Sequence, residues 1–383
     1  MPAMLWIVLA VVAVGFAISL PVTFLVRRVG ERTGALDSPG QPGHEKVLRA
    51  VPNTGGLAIF LAVALPIAAA LAAVWVFDSQ VWSRWLADLD PDHLERIRQS
   101  TPTALALLAG MSVLHLMGMV DDRRSLSPWI KLAVQFAVAA AIVQWFDVRL
   151  LTALDGMLSL GTWPSFVVTV VWIVVVTNAV NFIDNMDGLA AGVSAIAAAI
   201  FMVACIVNHQ WLIAATLALL IGGLVGFLVF NFPPARIFMG DGGSLVVGFI
   251  LAILTARTTY YDPGQMDYPL GGGWYGVFMP VIVLAIPLYD LVSVTAIRLK
   301  QGRSPLVGDQ QHFSHRLAAR GLSQRQVLVV IWSATAITGI GGISLGRLEG
   351  WQAILVGAQT LLVLMTIAVV EHMSRPASRA ADS

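Results

Sequence analysis

Residues 163–207 read WPSFVVTVVWIVVVTNAVNFIDNMDGLAAGVSAIAAAIFMVACIV. Two apolar runs, 163–180 and 188–207, are separated by a short polar junction. Each run approaches the roughly 20 residues an α-helix needs to cross the hydrocarbon core of a bilayer. A barrel strand needs only about 9–11, so these runs are too long for strands. Backbone groups in lipid are satisfied only in helices or closed barrels. The stretch therefore predicts two membrane helices joined by a tight polar turn.

The same pattern recurs along the chain. Apolar blocks lie at 4–26, 55–77, 102–120, 129–146, 211–230, 244–260, 274–298, 326–346 and 351–371, which with the first two makes eleven. Of the 383 residues, 57% are hydrophobic and 12% charged. A soluble domain carries about 25% charged residues, so a soluble single-core enzyme is excluded, and so is intrinsic disorder. The 23 Lys and Arg balance 22 Asp and Glu, which gives no electrostatic case for nucleic-acid binding. The one cysteine, Cys205, lies in an apolar run and supports neither a disulfide framework nor a thiolate metal site. The expected fold is all-α: a polytopic integral membrane bundle of about eleven transmembrane helices over 1–371. A short polar tail, 372–383, follows.

Orientation comes from the basic residues. Met1–Trp6 carries no Lys or Arg, whereas Arg27 and Arg28 follow the first block, the reverse of a signal peptide's charge order. A retained first helix with its N-terminus outside is expected. Eleven spans then place the C-terminus in the cytoplasm. On this assignment 17 of the 23 basic residues lie inside, and only Arg84, Arg96, Arg98, Arg149, Arg257 and Arg347 lie outside. The inside loops are 27–54, 121–128, 181–187, 231–243 and 299–325.

These loops hold the chain's polar constellations. Asp121 and Asp122 close the third block, followed by Arg123, Arg124 and, at the start of the fourth block, Lys131. A solvated loop paired with its arginines is one reading. Adjacent carboxylates also raise each other's pKa unless a cation lies between them. In the junction quoted above, Asn178, Asn181 and Asp184 recur every three residues and share a helix face. Asn185 and Asp187 follow, and Gly188 permits a sharp turn. Helix capping accounts for one or two of these five. As a set they are hard oxygen donors suited to Mg²⁺. Asp241 stands among glycines in Met239–Ser244, MGDGGS, where small residues would let backbone amides approach an anion. In 304–317, SPLVGDQQHFSHRL, His312 and His315 lie three apart, beside Asp309 and Arg316. Gly43–Val47 and Pro52–Gly56 supply Lys46 and a glycine turn, and alone read as a membrane-surface loop. His115 and His209 read as packing residues.

All these acids and bases fall on one membrane face. Such a carboxylate cluster requires a divalent cation, and bases around a metal suggest a pyrophosphate substrate. The membrane suggests a second substrate dissolved in lipid.

At these residues the sequence resembles the polyprenyl-phosphate N-acetylhexosamine-1-phosphate transferase family. DDRRSLSPWIKL (121–132), NAVNFIDNMDGLAAG (178–192), IFMGDGGSLVVGF (237–249) and DQQHFSHRL (309–317) are similar to its four ordered motifs. The likeness runs from Arg27 to about Arg325, and the span number is closer to the branch that starts common-antigen and teichoic-acid synthesis than to the muramoyl branch. Three departures stand out. Asn185 replaces a usual Gly, Ser314 replaces the middle histidine of His-x-His-His, and HEKVLRAVP replaces the usual basic first loop. With Ser314 read as part of an aqueous loop, Ser314→His is expected to keep activity within about tenfold.

The resemblance implies Mg²⁺-dependent transfer of N-acetylhexosamine 1-phosphate, with N-acetylglucosamine the expected sugar, from a UDP-sugar to undecaprenyl phosphate. UMP is released and a lipid-linked envelope glycan is begun. It implies a single catalytic domain over 1–371 in the inner (cytoplasmic) membrane, with the active site on the cytoplasmic face. Asp121, Asp122, Asp184 and His315 would be catalytic. Lys46, Asn181, Asp187, Lys131, His312 and Arg303 would bind substrates. Asp241 would hold the metal, supported by Asp122, with Mn²⁺ as a substitute for Mg²⁺. UDP-N-acetylhexosamine, undecaprenyl phosphate and the bilayer are the expected partners; a homodimer is left open. The rival class is an ion-coupled secondary transporter, for which Asp290, the acid inside the ninth block, would serve. Transporter carboxylates lie near the midplane in broken helices, whereas the acids here gather at helix ends. A membrane scaffold leaves the glycine-flanked Asp241 unexplained.

Overall fold

The computed structural model describes residues 2–33, 51–77, 82, 91–146, 148–258, 274–304, 311–343, 345 and 348–373. These form helices and the turns between them. In chain order they are α1 (Pro2–Thr33), α2 (Gly56–Val76), α3 (Pro91–Gln99), α4 (Thr101–Asp121), α5 (Pro128–Phe146), α6 (Ala153–Leu158), α7 (Trp163–Ile183) and α8 (Leu189–Val207). Then come α9 (Trp211–Asn231), α10 (Asp241–Arg257), α11 (Met279–Val283), α12 (Ala285–Lys300), α13 (Phe313–Ala318), α14 (Gln324–Ile343) and α15 (Gly350–Met373).

Each of the eleven expected blocks is helical. Among the described residues, nine helices are long and apolar enough to cross a membrane, and α11 with α12 makes a tenth, bent by 64°. The expected straight helix over 274–298 is thus broken. Pro287, in the first turn of α12, has no N–H to give Val283, so the ladder is interrupted there. Elsewhere proline starts helices: Pro102, Pro128 and Pro164 lie in the first turns of α4, α5 and α7, where the missing donor is harmless.

Helix α10, which covers the remaining expected block, is the middle of the bundle. At 17 residues it is about 25 Å long at 1.5 Å per residue. Every residue from Gly242 to Ala256 is buried, against α7, α4, α2, α8 and α9. Helix α1 packs on α9 and α2, and α14 on α8 and α11. Large apolar side chains of the outer helices stay exposed, as a bilayer-facing surface requires. Trp6, Trp75, Trp145, Trp163 and Trp351 are all exposed and lie at the helix ends remote from the polar loops, an aromatic belt of the kind found at membrane interfaces.

The turn from α7 to α8 is as tight as its sequence suggests, with Gly188 at φ +74°. The start of α10 differs from expectation. The helix begins at Asp241 rather than Ser244, because Asp122 supplies an acceptor for its first N–H groups.

A carboxylate and histidine centre at one end of the bundle

The ends of α4 and α7 and the start of α10 meet. Asp122, one residue past α4, accepts from the Asp241 N–H at 3.0 Å and the Gly242 N–H at 3.2 Å. It also accepts from Asn53 Nδ2 at 3.1 Å. The glycine-rich turn was expected to offer its amides to a bound anion. Those of Asp241 and Gly242 instead go to a side chain of the protein, which suits the positive end of the helix dipole. The glycines serve close approach: a Cβ on Gly118 would lie 2.4 Å from Gly242 N, and one on Gly56 2.3 Å from Gly243 N. Small residues at such contacts let membrane helices pack closely.

Asp121 and Asp241 share one cation. Lys131 Nζ lies 2.8 Å from Asp121 Oδ2 and 3.4 Å from Asp241 Oδ2. Asp121 also accepts from Leu126 N at 2.6 Å. Asn181 Nδ2 donates to Asp241 Oδ1 at 3.0 Å and to Ser244 Oγ at 2.9 Å. Burial, and after it the charge of Asp241, push the Asp122 carboxyl up to about 7, while the N–H bonds from Asp241 and Gly242 pull the other way.

The donor set fits a hard cation. Two carboxylates, Asp121 and Asp241, adjoin a third, Asp122, and a single ammonium lies between the first two. Among the described residues no group of three or more His, Cys, Asp or Glu side chains is placed to hold a metal.

The histidine helix forms a second wall. Asp290 lies on α12 and is fully buried. Its Oδ2 is 2.8 Å from His312 Nδ1, and its Oδ1 accepts from Phe313 N at 2.9 Å. His312 meets Phe182 of α7 edge-on, with ring centroids 5.7 Å apart, and lies 6.4 Å from the His315 ring. Burial first, and then His312, hold His315 below the ordinary histidine value, while Asp290 and then the Asn185 backbone act in the opposite sense. Ser314 is 0% exposed and donates to Asn185 Oδ1. It belongs to packed protein and not to an aqueous loop, so the tolerance expected for Ser314→His loses its premise.

Other expected site residues fall nearby. Asp184 ends α7 and is partly exposed. Asp187 is buried and accepts from Ala235 N at 3.0 Å, joining the junction to the 231–240 loop. The Arg303 side chain is exposed, one turn beyond α12. Lys46 and Asp309 lie outside the described residues, as do Met1 and the tail from 374. Arg316 points away from the histidines, binding Glu371 Oε2 at 3.0 Å and Ser293 Oγ at 3.1 Å. His115 packs as expected: it stacks on Phe60 at 4.7 Å, with Nδ1 2.7 Å from Gly242 O.

Residues 104–259, which carry the carboxylate part of this centre, match the model of glycosyl transferase family 4. Over 370 residues the chain is 30% identical to a Bacillus subtilis (strain 168) protein named "Probable undecaprenyl-phosphate N-acetylglucosaminyl 1-phosphate transferase", covering 94% of this chain and 92% of the relative. The chain belongs to glycosyl transferase family 4. It is 31% identical over 348 residues to the decaprenyl-phosphate N-acetylglucosaminephosphotransferase of Mycobacterium leprae (strain TN), covering 86% of this chain and 82% of that one. A phospho-N-acetylmuramoyl-pentapeptide-transferase of Desulforudis audaxviator (strain MP104C) is 30% identical over 315 residues, covering 76% of this chain and 84% of that one. As a member of glycosyl transferase family 4 the chain is a multi-pass membrane phosphoglycosyltransferase, and the transporter reading falls. The acid that would have served a transporter, Asp290, has both oxygens engaged by α13.

Two residues of this family 4 centre, Asn53 and Gln135, were not singled out from sequence, and a third, Asp290, was named only for the transporter reading. Asn53 reaches Asp122 from the segment before α2, which also pairs with the 238–239 backbone through Gly55 N to Phe238 O and Gly56 N to Met239 O, both 2.9 Å. Its signal was an Asn beside a glycine pair at a helix entrance. Asp290 holds the histidine helix. Gln135 of α5, buried, accepts from Asn178 Nδ2, so Asn178 braces α7 against α5.

Proposed function

We propose that this chain transfers N-acetylglucosamine 1-phosphate from UDP-N-acetylglucosamine to undecaprenyl phosphate, at the cytoplasmic face of the inner membrane, releasing UMP. The observation that carries this reading is the Asp121–Lys131–Asp241 group at the membrane-facing end of α4, α5 and α10. It pairs two carboxylates with one cation at the ends of three apolar helices. The names of the Bacillus and Mycobacterium relatives support the sugar and the lipid class. These two similarities also span more of the chain than the muramoyl one.

In the proposed step an oxygen of the lipid phosphate attacks the β-phosphorus of the nucleotide. The bond from that phosphorus to the bridging oxygen breaks, and UMP leaves with the electron pair. Asp121 would position the lipid phosphate and take its proton if it arrives protonated. Lys131 would hold phosphate oxygens between the two carboxylates. Asp241 would hold Mg²⁺, with Asp121 beside it; Asp122 would support the metal by fixing the start of α10. Mg²⁺ when bound would neutralise the nucleotide pyrophosphate. Asn181 and Asp184 would line the nucleotide side. Asp187 would hold that wall to the 231–240 loop. His315 would contact phosphate oxygens, with His312, held through Nδ1 by Asp290, beside it. Lys46 and Arg303, on the same face by sequence, would add outer phosphate contacts. An N-terminus of α1 on the outer side would fit this orientation.

Purified protein offered a panel of radiolabelled UDP-sugars with undecaprenyl phosphate tests the reading. Label is expected in the lipid phase from UDP-N-acetylglucosamine. Label from UDP-N-acetylmuramoyl-pentapeptide alone would overturn the sugar assignment.

A further inference from the structure

Two of the three departures from the family pattern touch each other. Asn185 lies in the turn between α7 and α8, and Ser314 lies in α13, 129 positions later. The Ser314 hydroxyl donates to Asn185 Oδ1, and Asn185 Nδ2 donates to Phe182 O at 2.7 Å. Both ends of the amide are thereby committed. One end closes the last turn of α7 and the other grips α13. His315 is the residue after Ser314. A residue of the carboxylate wall therefore holds the histidine wall at the position beside His315.

A short hydroxyl at 314 leaves room that the asparagine amide enters. An imidazole there would extend past the Oγ position toward that amide, in a place with no exposed surface to escape to.

We propose that Asn185 and Ser314 form a coupled positioning pair that sets His315 against the Asp184 turn. The claim rests on the reading of this centre as a phosphoglycosyl-transfer site. It assigns the pair no contact with the reacting atoms.

A double-mutant cycle tests it, with kcat, the KM of each substrate and Tm in detergent measured for every variant. Ser314→Ala removes only the hydroxyl and adds no bulk. Its loss of kcat is expected in the Asn185 background and to shrink at least about threefold in the Asn185→Gly background, where the acceptor is gone. Ser314→His alone is expected to lower kcat and to raise the KM for UDP-N-acetylglucosamine, leaving the KM for undecaprenyl phosphate unchanged. Ser314→His with Asn185→Gly should recover both. Losses that simply multiply across the cycle, or an equal rise in both KM values, would overturn the pair. If the wild type transferred no sugar phosphate, the functional reading would fall by itself. The Tm cycle would still show coupling or its absence.

Discussion

Asp290 Oδ2 lies 2.8 Å from His312 Nδ1, inside a contact that also includes the backbone N–H of Phe313. A carboxylate can only accept, so Nδ1 is the donor and the ring's tautomer and direction are set. An acid buried in α12 thus aims a base at the end of the bundle. Asp290→Ala would leave two buried donors without an acceptor, at about 1–3 kcal/mol each. A lower Tm together with lower kcat is the expected outcome. Asp290→Asn keeps an acceptor for Phe313 but offers His312 a donor, so Tm should fall less and kcat should stay low. Wild-type kcat in Asp290→Asn would separate His312 from the chemistry.

Asp241→Asn keeps the shape of a side chain that Asn181 and Lys131 contact, and removes its charge. Turnover should fall by more than about tenfold, which is ~1.4 kcal/mol of barrier, with Tm near that of the wild type. Retention of more than a tenth of the activity, measured at saturating Mg²⁺, would remove Asp241 from the metal site.

Gly118→Ala places a Cβ 2.4 Å from Gly242 N, against backbone that cannot swing aside. Overpacking of this kind costs about 1–3 kcal/mol. Because the same contact sets Asp122 against Asp241, activity should fall with stability. Gly357→Ala on α15, with nothing within 4 Å of the new carbon, is the matched control and should leave Tm unchanged.

The depressed His315 value gives a direction for acid sensitivity. The unfolded chain takes up a proton near 6.5 that the folded chain resists. Between the two values the unfolded state binds more protons, so stability rises with pH. This contribution is complete above the unfolded value and is lost as pH falls below it. The Tm of the wild type should therefore drop more from pH 8 to pH 5.5 than that of His315→Gln. Parallel curves would show that His315 is not held neutral by its surroundings.

The spans were legible because apolar length is a local property, and the turn at Gly188 because positive φ selects glycine. The carboxylate motifs were legible because hard donors at helix ends are costly unless used. Partnerships were another matter. Asp122 meets Asp241 across 119 positions and Ser314 meets Asn185 across 129, and neither pairing leaves a periodic trace. The glycines around Asp241 were read as room for an anion. Their purpose as helix contacts depends on Gly56 and Gly118, which lie on other helices. The bend at Leu284 was hidden because a continuous apolar run reads the same whether straight or broken.

The account turns on phosphoryl transfer to lipid at Asp121, Lys131 and Asp241. The most direct test is UMP release by the purified protein from UDP-N-acetylglucosamine, with and without undecaprenyl phosphate and with and without Mg²⁺. The prediction is one UMP per lipid pyrophosphoryl sugar formed, only when both lipid and metal are present, and abolished in Asp241→Asn. UMP release that ignores the lipid, or equal turnover in EDTA, would contradict it.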